Sequence, residues 1–517
     1  MGRRDDVGVN RTSPLLAALA GIAAAGLGLG AEEAIAGILP GATSLIDAIG
    51  QVVVALQPPG AKDVVVALFG TNDKLALEIV VALTALLLGA LFGILAARRF
   101  AIGAVGFGAF GVIGFLAGSG QLLATIPMVA IQSAAATGIA IQTLSWLLGW
   151  LGFGRDTSSP PISDPARRSF LLRTGAVGLG ALAAGAFGRS AIESGRSAPT
   201  PSIALPSPAE VVAPLGPEAD LSTSVQGLTP IVMPNDTFYR IDTALLVPSL
   251  DTATWQLRIH GLVERETTLT WDQLISMPQF EQYVTIACVS NEVGGRLVGN
   301  AKWTGVKLRE VLDIAGPTSA ATQLVGRSLD SWTAGMPMDW VMDPAREPMI
   351  AIQMNGVPLP RAQGYPARLI VPGLYGYVSA TKWLTDLELT TWEAYDAYWV
   401  PLGWSKKGPI LTQSRIDTPR SSVAAGPVPI AGIAWAPDRG VSKVEVGIDD
   451  TWHEAQLSAP ISAATWVQWL YAWAATPGQH TVSVRATDGT GTLQEEIPSR
   501  PAPDGARGWH TITVNVS

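Results

Sequence analysis

The stretch VTIACVSNEVGGRLVGNAKWTGV runs from Val284 to Val306 and holds Cys288, the only cysteine in the 517-residue chain. An apolar, β-branched run leads into the cysteine and a polar, glycine-rich loop follows it. That order reads as a strand that ends at Cys288 and a loop that turns back. A lone cysteine forms no intrachain disulfide, and the chain has no CxxC or CxxCH pattern for zinc, thiol exchange or covalent haem. As a nucleophile Cys288 would need an imidazole, yet His260, His453, His480 and His510 form no motif near it. A resolving cysteine for redox chemistry is absent as well. As a metal ligand the thiolate fills one position, too little for an aquo ion but enough if an organic cofactor brings the others. A small buried hydrophobe is the packing alternative, and these residues alone leave it open.

Outward from this stretch, the chain divides by composition. At 517 residues it exceeds one ordinary core, so several domains are expected. Its hydrophobic fraction of 48% and mean hydropathy of +0.31 are high for a soluble protein, and the apolar weight lies in the first third. A net charge of -8 and a pI near 5.2 give no basic footprint, which argues against nucleic acid as a partner.

Residues 100–154 contain no Asp, Glu, Lys or Arg, and LEIVVALTALLLGALFGILAA before them has only Glu78, at its outer end. Such runs exceed the roughly 20 apolar residues needed to cross a bilayer. The sequence predicts spans near 15–38, 75–97, 100–118 and 122–150, with Glu32 and Glu33 interrupting the first. LIDAIGQVVVALQ reads as an interfacial helix. A fifth apolar segment, TGAVGLGALAAGAFG, follows ARRSFLLR at 166–173. There Arg167, Arg168, Phe170 and Leu171 match a twin-arginine export signal lying inside the chain, or else a basic pair flanking a span. Arg3, Arg4 and Arg11, then Arg98 and Arg99, then Arg155, Arg167 and Arg168 all fall on one side if five spans are threaded. Basic loops mark the cytoplasm, so the chain from about 190 is expected outside it, at the cell membrane.

SAPTPSIALPSPAEVVAPLGP, from Ser197 to Pro217, reads as an extended linker. Beyond it, strand-like runs (WQLRIHGLV, YVTIACV, PARLIVPG, KWLTDLELT) mix with helix-like TWDQLISM and GVKLREVLDIA, which predicts an α+β domain to 420. After Pro427 the pattern is β only, with Val444, Val446 and Ile448, then Val482, Val484 and Ala486, then Ile512, Val514 and Val516 in alternation. A sandwich is expected there. The expected division is a transmembrane region at 1–190, a linker at 191–220, an α+β domain at 221–420 and a β domain at 421–517.

Four blocks then resemble the sulfite oxidase family of molybdenum enzymes: PNDTFYRIDTALLVP at 234–248, TIACVSN with GNAKWTGVKLREVL, MNGVPLPRAQGYPARLIVPGLYGYVSATKWL at 354–384, and IAGIAWAPDRGVSKVEVGIDDTWHEA at 430–455. They stand in family order from about 225 to 517 and leave the membrane region uncovered. The resemblance implies an all-α transmembrane bundle joined to an α+β molybdopterin domain and an all-β immunoglobulin-like dimerisation domain, with a molybdenum-molybdopterin cofactor. It places Cys288 as the metal ligand. Gln363 and Arg368 match pterin and phosphate contacts, and Ala380, Thr381 and Lys382 a phosphate-binding turn. Asn235, Asp236, Tyr239 and Arg240 fall where the opening segment touches cofactor and substrate, and Asp330 matches a further pterin contact. Tyr239 and Arg240 join Cys288 as catalytic candidates, Arg240 to orient the substrate.

Sulfite-oxidising members gather several arginines to bind a dianion. Here GLYGYVSATKW has none, and the loop after Cys288 offers Asn291, Glu292 and Arg296. Sulfite, a sulfoxide or a related small molecule is therefore the expected substrate class, with oxygen-atom transfer as the reaction. No histidine precedes His260, so the spans hold no bis-histidine haem and electrons are expected to pass to or from a separate carrier or a quinone. Two other readings stay open: a cofactor-free, membrane-tethered binding or sensor protein, and a transporter. Against the transporter stands the near absence of ionisable residues at depth in the spans.

Overall fold

The computed structural model describes residues 13–517 apart from 40, 58–64, 66–67, 70–72, 122–123, 152–163, 197–202, 204, 245–246 and 249. Arg3, Arg4, Arg11, Arg155 and linker residues 197–202 and 204 lie outside the described residues, while 191–196, expected in the linker, are helical because the apolar helix before them continues to Arg196. Two compact units divide the chain, residues 1–198 with 244–247 and residues 199–243 with 248–517.

The first unit is helical: α1 (Pro14–Ile38), α2 (Leu45–Leu56), α3 (Asp73–Ala96), α4 (Phe100–Ser119), α5 (Ile126–Trp150) and α6 (Asp164–Arg196). Among the described residues, five helices are long and apolar enough to cross a membrane, and α2 is a shorter apolar helix, Leu45–Val54 in its apolar part. Leu83, Leu87, Val105, Leu116 and Leu182 are exposed, an apolar exterior compatible with lipid contact. Inside, α1 packs against α3, α5 and α6. Small residues bring the backbones together: a Cβ on Gly21 would run into the Gly89 carbonyl oxygen of α3. ARRSFLLR forms part of the first turns of α6, with Arg167 and Arg168 exposed and Phe170 buried.

One expectation about charge in this unit is corrected. Glu32 and Glu33 do not interrupt α1, because both carboxyls fold inward onto polar partners. Glu32 Oε1 accepts from the Leu45 N–H at 2.8 Å and from Gln132 of α5, and Glu33 Oε1 accepts from Ser44, the N-cap of α2. The ionisable groups that the unit does carry gather together. Arg189 of α6 pairs with Glu78 of α3 and with Asp47 of α2 at 3.1 Å, and lies 4.0 Å from Glu33. Sequence hydropathy averages over each span and misses such clustering, which depends on how the helices rotate against one another.

The second unit opens with a five-stranded sheet ordered β2-β1-β10-β5-β6, made of β1 (Gln256–Gly261), β2 (Thr267–Thr270), β5 (Gln323–Ser328), β6 (Thr333–Pro337) and β10 (Leu384–Thr390). A second sheet runs β3 (Gln279–Ala287), β4 (Val298–Lys307), β7 (Met349–Met354), β8 (Val357–Pro358), with β9 (Arg368–Ile370) on β7. Short helices punctuate them: α7 (Trp271–Ser276), α8 (Leu308–Asp313), α9 (Met338–Val341) and α10 (Gly376–Ser379). Thr270 and Gln273 form a capping box at the start of α7. The helix expected over GVKLREVLDIA begins only at Leu308, since Val306 and Lys307 pair with Ile350 and Met349 in the ladder.

Two four-stranded sheets complete the unit. One runs β11 (Gln413–Thr418), β12 (Gly426–Trp435), β16 (Val467–Ala475), β15 (Gln456–Leu457), and the other β14 (Thr451–Glu454), β13 (Val441–Ile448), β17 (Gly478–Asp488), β18 (His510–Val516). Ile430, Val467 and Trp469 of the first pack on Val444, Val446, Val482, Val484 and Val514 of the second, so the pair is a sandwich. Trp435 and Trp466 instead enter the large core that also holds Leu257, Leu324 and Leu387 of the other strands.

Candidate active site

β3 and β4 pair antiparallel from Gln279↔Val306 to Ala287↔Val298, and Cys288 is the first residue beyond the ladder. Its N–H donates to the Leu297 carbonyl at 2.8 Å, so the backbone stays closed for one more step. Its carbonyl accepts from the Asn291 N–H at 3.1 Å, and Asn291 Oδ1 accepts from the Leu297 N–H at 2.7 Å. One asparagine thus ties both ends of the loop, and Cys288 is buried with 9% of its surface exposed. Arg415 of β11 holds the loop from outside, donating to the Gly295 carbonyl at 2.8 Å. The GLYGYVSATKW segment lies alongside, where a Cβ on Gly376 would come 3.6 Å from the Ala287 carbonyl oxygen.

The second cluster joins residues 361–368 to residues 380–383. Gly364 has φ +108°, and a Cβ there would stand 3.1 Å from Arg368 Cβ and Lys382 Cα, so only glycine lets the two segments close. The Trp383 Nε1–H donates to the Arg361 carbonyl at 2.8 Å and the Leu369 N–H to the Thr381 carbonyl at 2.9 Å. Lys382 and Arg368 are thereby buried together. Lys382 Nζ donates to the Ala362 carbonyl and to Asp242, both at 3.0 Å. Arg368 Nη1 donates to the Gln363 carbonyl at 3.0 Å and to Gln363 Oε1 at 3.3 Å, while its buried Nε has no hydrogen-bond partner. Its guanidinium stands 5.1 Å from the centre of the Trp303 ring. Burial pulls Arg368 down to about 10 and Lys382 down to about 8, each partly restored by Asp242.

The opening segment closes over these groups. Gln363 Nε2 donates to the Tyr239 carbonyl at 3.3 Å. Asp242 accepts from Arg240 Nε at 2.8 Å, so Arg240, Asp242 and Lys382 form one chain of charge with Arg240 at its exposed end. Phe238 stacks on Tyr239 at 5.3 Å and meets Trp303 edge-on at 6.1 Å. Burial raises the Tyr239 hydroxyl above its usual range, with the Cys288 sulfur adding to the rise and Arg368 opposing it. Tyr239 therefore stands in the fields of both clusters. Tyr375, pushed up to about 12 by burial, also feels Cys288.

The remaining candidates are placed less centrally. Asn235 braces the segment, donating to the Met354 carbonyl at 3.1 Å and accepting from Asn355 at 2.8 Å, and Asp236 is exposed. Asp330 is held near Lys382 because the Leu329 N–H donates to the Trp383 carbonyl at 2.9 Å, and burial raises its carboxyl. The Ala380 N–H donates to the Gly376 carbonyl at 3.0 Å and Thr381 Oγ1 to the Gly326 carbonyl at 3.4 Å, so both already have partners within the protein. Sequence reasoning missed Asp242 and Arg415, and named Asn291 only as a polar residue of the loop, not as the group that ties its ends. Only Asp242 left a local signal, two residues after Arg240 and so on the same side of an extended chain.

A buried arginine with an orphaned Nε, beside a buried lysine, is arranged for an anion: among the described residues no carboxylate pairs with Arg368. A phosphate fits that demand, and a buried thiolate supplies one soft metal position while an organic ligand supplies the rest. Among the described residues no group of three or more His, Cys, Asp or Glu could hold a metal by itself. The residues present therefore fit a phosphate-bearing, metal-carrying organic cofactor.

Residues 244–399 match the family described as the oxidoreductase molybdopterin binding domain, a range that includes Cys288, Arg368 and Lys382 but not Tyr239 or Arg240. The chain is 30% identical over 343 residues to the mitochondrial sulfite oxidase of Homo sapiens, covering 55% of this chain and 62% of that one. It is 31% identical over 178 residues to the NADH nitrate reductase of Hordeum vulgare, covering 29% of this chain and 19% of that one. The chain thus spans less than two thirds of the length of these curated relatives. Among solved structures, the sulfane dehydrogenase SoxCD from Paracoccus pantotrophus aligns with a TM-score of 0.49 at 23% identity, over 56% of this chain and 82% of that chain.

Proposed function

We propose, from the match of residues 244–399 to the oxidoreductase molybdopterin binding domain in a chain similar to sulfite oxidases, that this protein is a membrane-anchored oxidoreductase of the sulfite oxidase type. One observation carries the reading: Arg368, buried with an orphaned N–H, lies beside the buried Lys382, and the same strand-and-loop frame buries the sole cysteine. Cys288 would hold the molybdenum, Arg368 and Lys382 the phosphate, and Gln363 the pterin edge through whichever amide atoms Tyr239 and Arg368 leave available. When bound, the molybdenum-molybdopterin group supplies two-electron oxygen-atom transfer. Tyr239, kept protonated by burial, would donate a hydrogen bond to a substrate oxygen. Arg240, whose guanidinium is oriented by Asp242, would guide the substrate at the exposed end of the same charge chain.

The substrate is read as weakly charged or sulfoxide-like, because Arg296 is exposed on its loop, Arg240 is shared with Asp242 and Arg368 serves the cofactor. The sandwich at 421–517 is read as immunoglobulin-like and as the surface through which two copies would pair. The helices are read as spans placing the second unit outside the cytoplasm, with ARRSFLLR as an internal export signal and electrons passing to a separate partner. Purified full-length protein is expected to contain stoichiometric molybdenum and pterin and to turn over a sulfoxide or sulfite with a soluble dye. Folded protein without either would instead favour the cofactor-free sensor.

A further inference from the structure

Between α1, α2, α3, α4 and α5 lies a cavity walled by Phe92, Phe107 and Phe110 with Leu29, Leu45 and Val81. It offers about 60 Å³ to the centres of water-sized atoms, whereas a single water needs roughly 10–15 Å³. Three polar residues line it, Glu32 of α1 and Ser133 and Thr137 of α5, and two of them carry an oxygen that lacks a hydrogen-bond partner, Glu32 Oε2 and Ser133 Oγ. Neither is solvated from outside, with Glu32 0% and Ser133 5% exposed. The Glu32 carboxyl is fixed, since Oε1 accepts from Leu45 N–H and Gln132. Orphaned buried acceptors each cost about 1–3 kcal/mol, and two of them on one aromatic-walled cavity point to a missing ligand. That ligand must donate to Oε2, pair with the Ser133 hydroxyl, and present an apolar ring to the phenyl walls. Because the surrounding helices are apolar outward, it must also arrive through lipid.

We infer that this cavity binds a lipid-soluble quinone, with a ring hydroxyl of the quinol donating to Glu32 and its other ring oxygen paired with Ser133. The inference rests on the proposed function, whose electron partner it names by class. Oxidation of a substrate such as sulfite adds one oxygen from water and releases two electrons and two protons, which the quinone takes up as its two carbonyl oxygens become hydroxyls. Reduction of a sulfoxide runs the other way: the quinol gives up two of each and the sulfoxide oxygen leaves as water. Full-length protein in detergent, titrated with a short-tailed benzoquinol and naphthoquinol, should bind one of them saturably. Glu32→Ala, Ser133→Ala and the cavity-filling Ala85→Phe should each weaken binding at least tenfold, while reduction of a soluble dye by substrate stays unchanged. Unaltered affinity in the variants that remain folded by size exclusion, or only unsaturable partition of the quinol, overturns the site. The two readings fail separately: saturable quinol binding without molybdenum sinks the enzyme and keeps the site, whereas full dye turnover without saturable binding sinks the site alone.

Discussion

Cys288, Arg368 and Lys382 are the side chains whose chemistry is most exposed to test. Cys288→Ser should leave the fold and its pterin content intact, because Arg368 and Lys382 are unchanged, yet turnover should fall beyond the roughly 10–100-fold typical of losing an outer partner of a metal. Full activity with unaltered metal content would end its role as ligand. Lys382 sets a pH dependence. Burial holds it near 8, so raising the pH through about 8 removes the charge that would meet a phosphate. Cofactor uptake by apoprotein should therefore weaken above pH about 8, and Lys382→Met should flatten that step. The sign for stability is opposite: the value lies below the ordinary 10.5, so the unfolded chain binds the proton more tightly and the fold gains stability as pH rises from about 8 toward 10.5. Cys288 was legible in the sequence as a residue that ends a strand. The burial that lowers both cations was not, since it depends on residues 361–368 closing on 380–383 and on Trp303 facing Arg368, while Tyr239 and Asp242 from the opening segment oppose the shift of Arg368.

At the scale of elements, the tie between residues 361–368 and 380–383 decides whether the cations stand side by side. Gly364→Ala would place a methyl where φ is +108° and 3.1 Å from both Arg368 and Lys382, at a cost of about 1–3 kcal/mol. A lowered melting temperature together with lost pterin is expected; normal pterin content would show that the tie is not needed. Strands such as Val482, Val484 and Ala486 were readable because alternation alone fixes which side is buried. The end of α8 nearest β4 was not, because strand pairing with Met349 captured Lys307 from a helix-like run.

For the molecule as a whole, the two sheet-rich regions of the second unit share a core. Trp466 is fully buried, its Nε1–H donates to the Ile231 carbonyl at 2.9 Å and its N–H to Thr285 Oγ1 at 2.8 Å. Trp466→Ala should cost about 3–5 kcal/mol and lower a single transition of residues 199–517, not split off the sandwich; two separate calorimetric transitions in the unsubstituted fragment would refute the shared core. The sequence by itself determined the five long apolar helices, the change to strands and the sole thiol, because hydropathy, periodicity and residue count are local properties. Only the tertiary structure decided that Glu32, Glu33, Asp47, Glu78 and Arg189 gather in the bundle and that Arg368 lacks a carboxylate partner among the described residues. Those facts depend on desolvation and on distances between segments far apart in the chain, which no local pattern encodes.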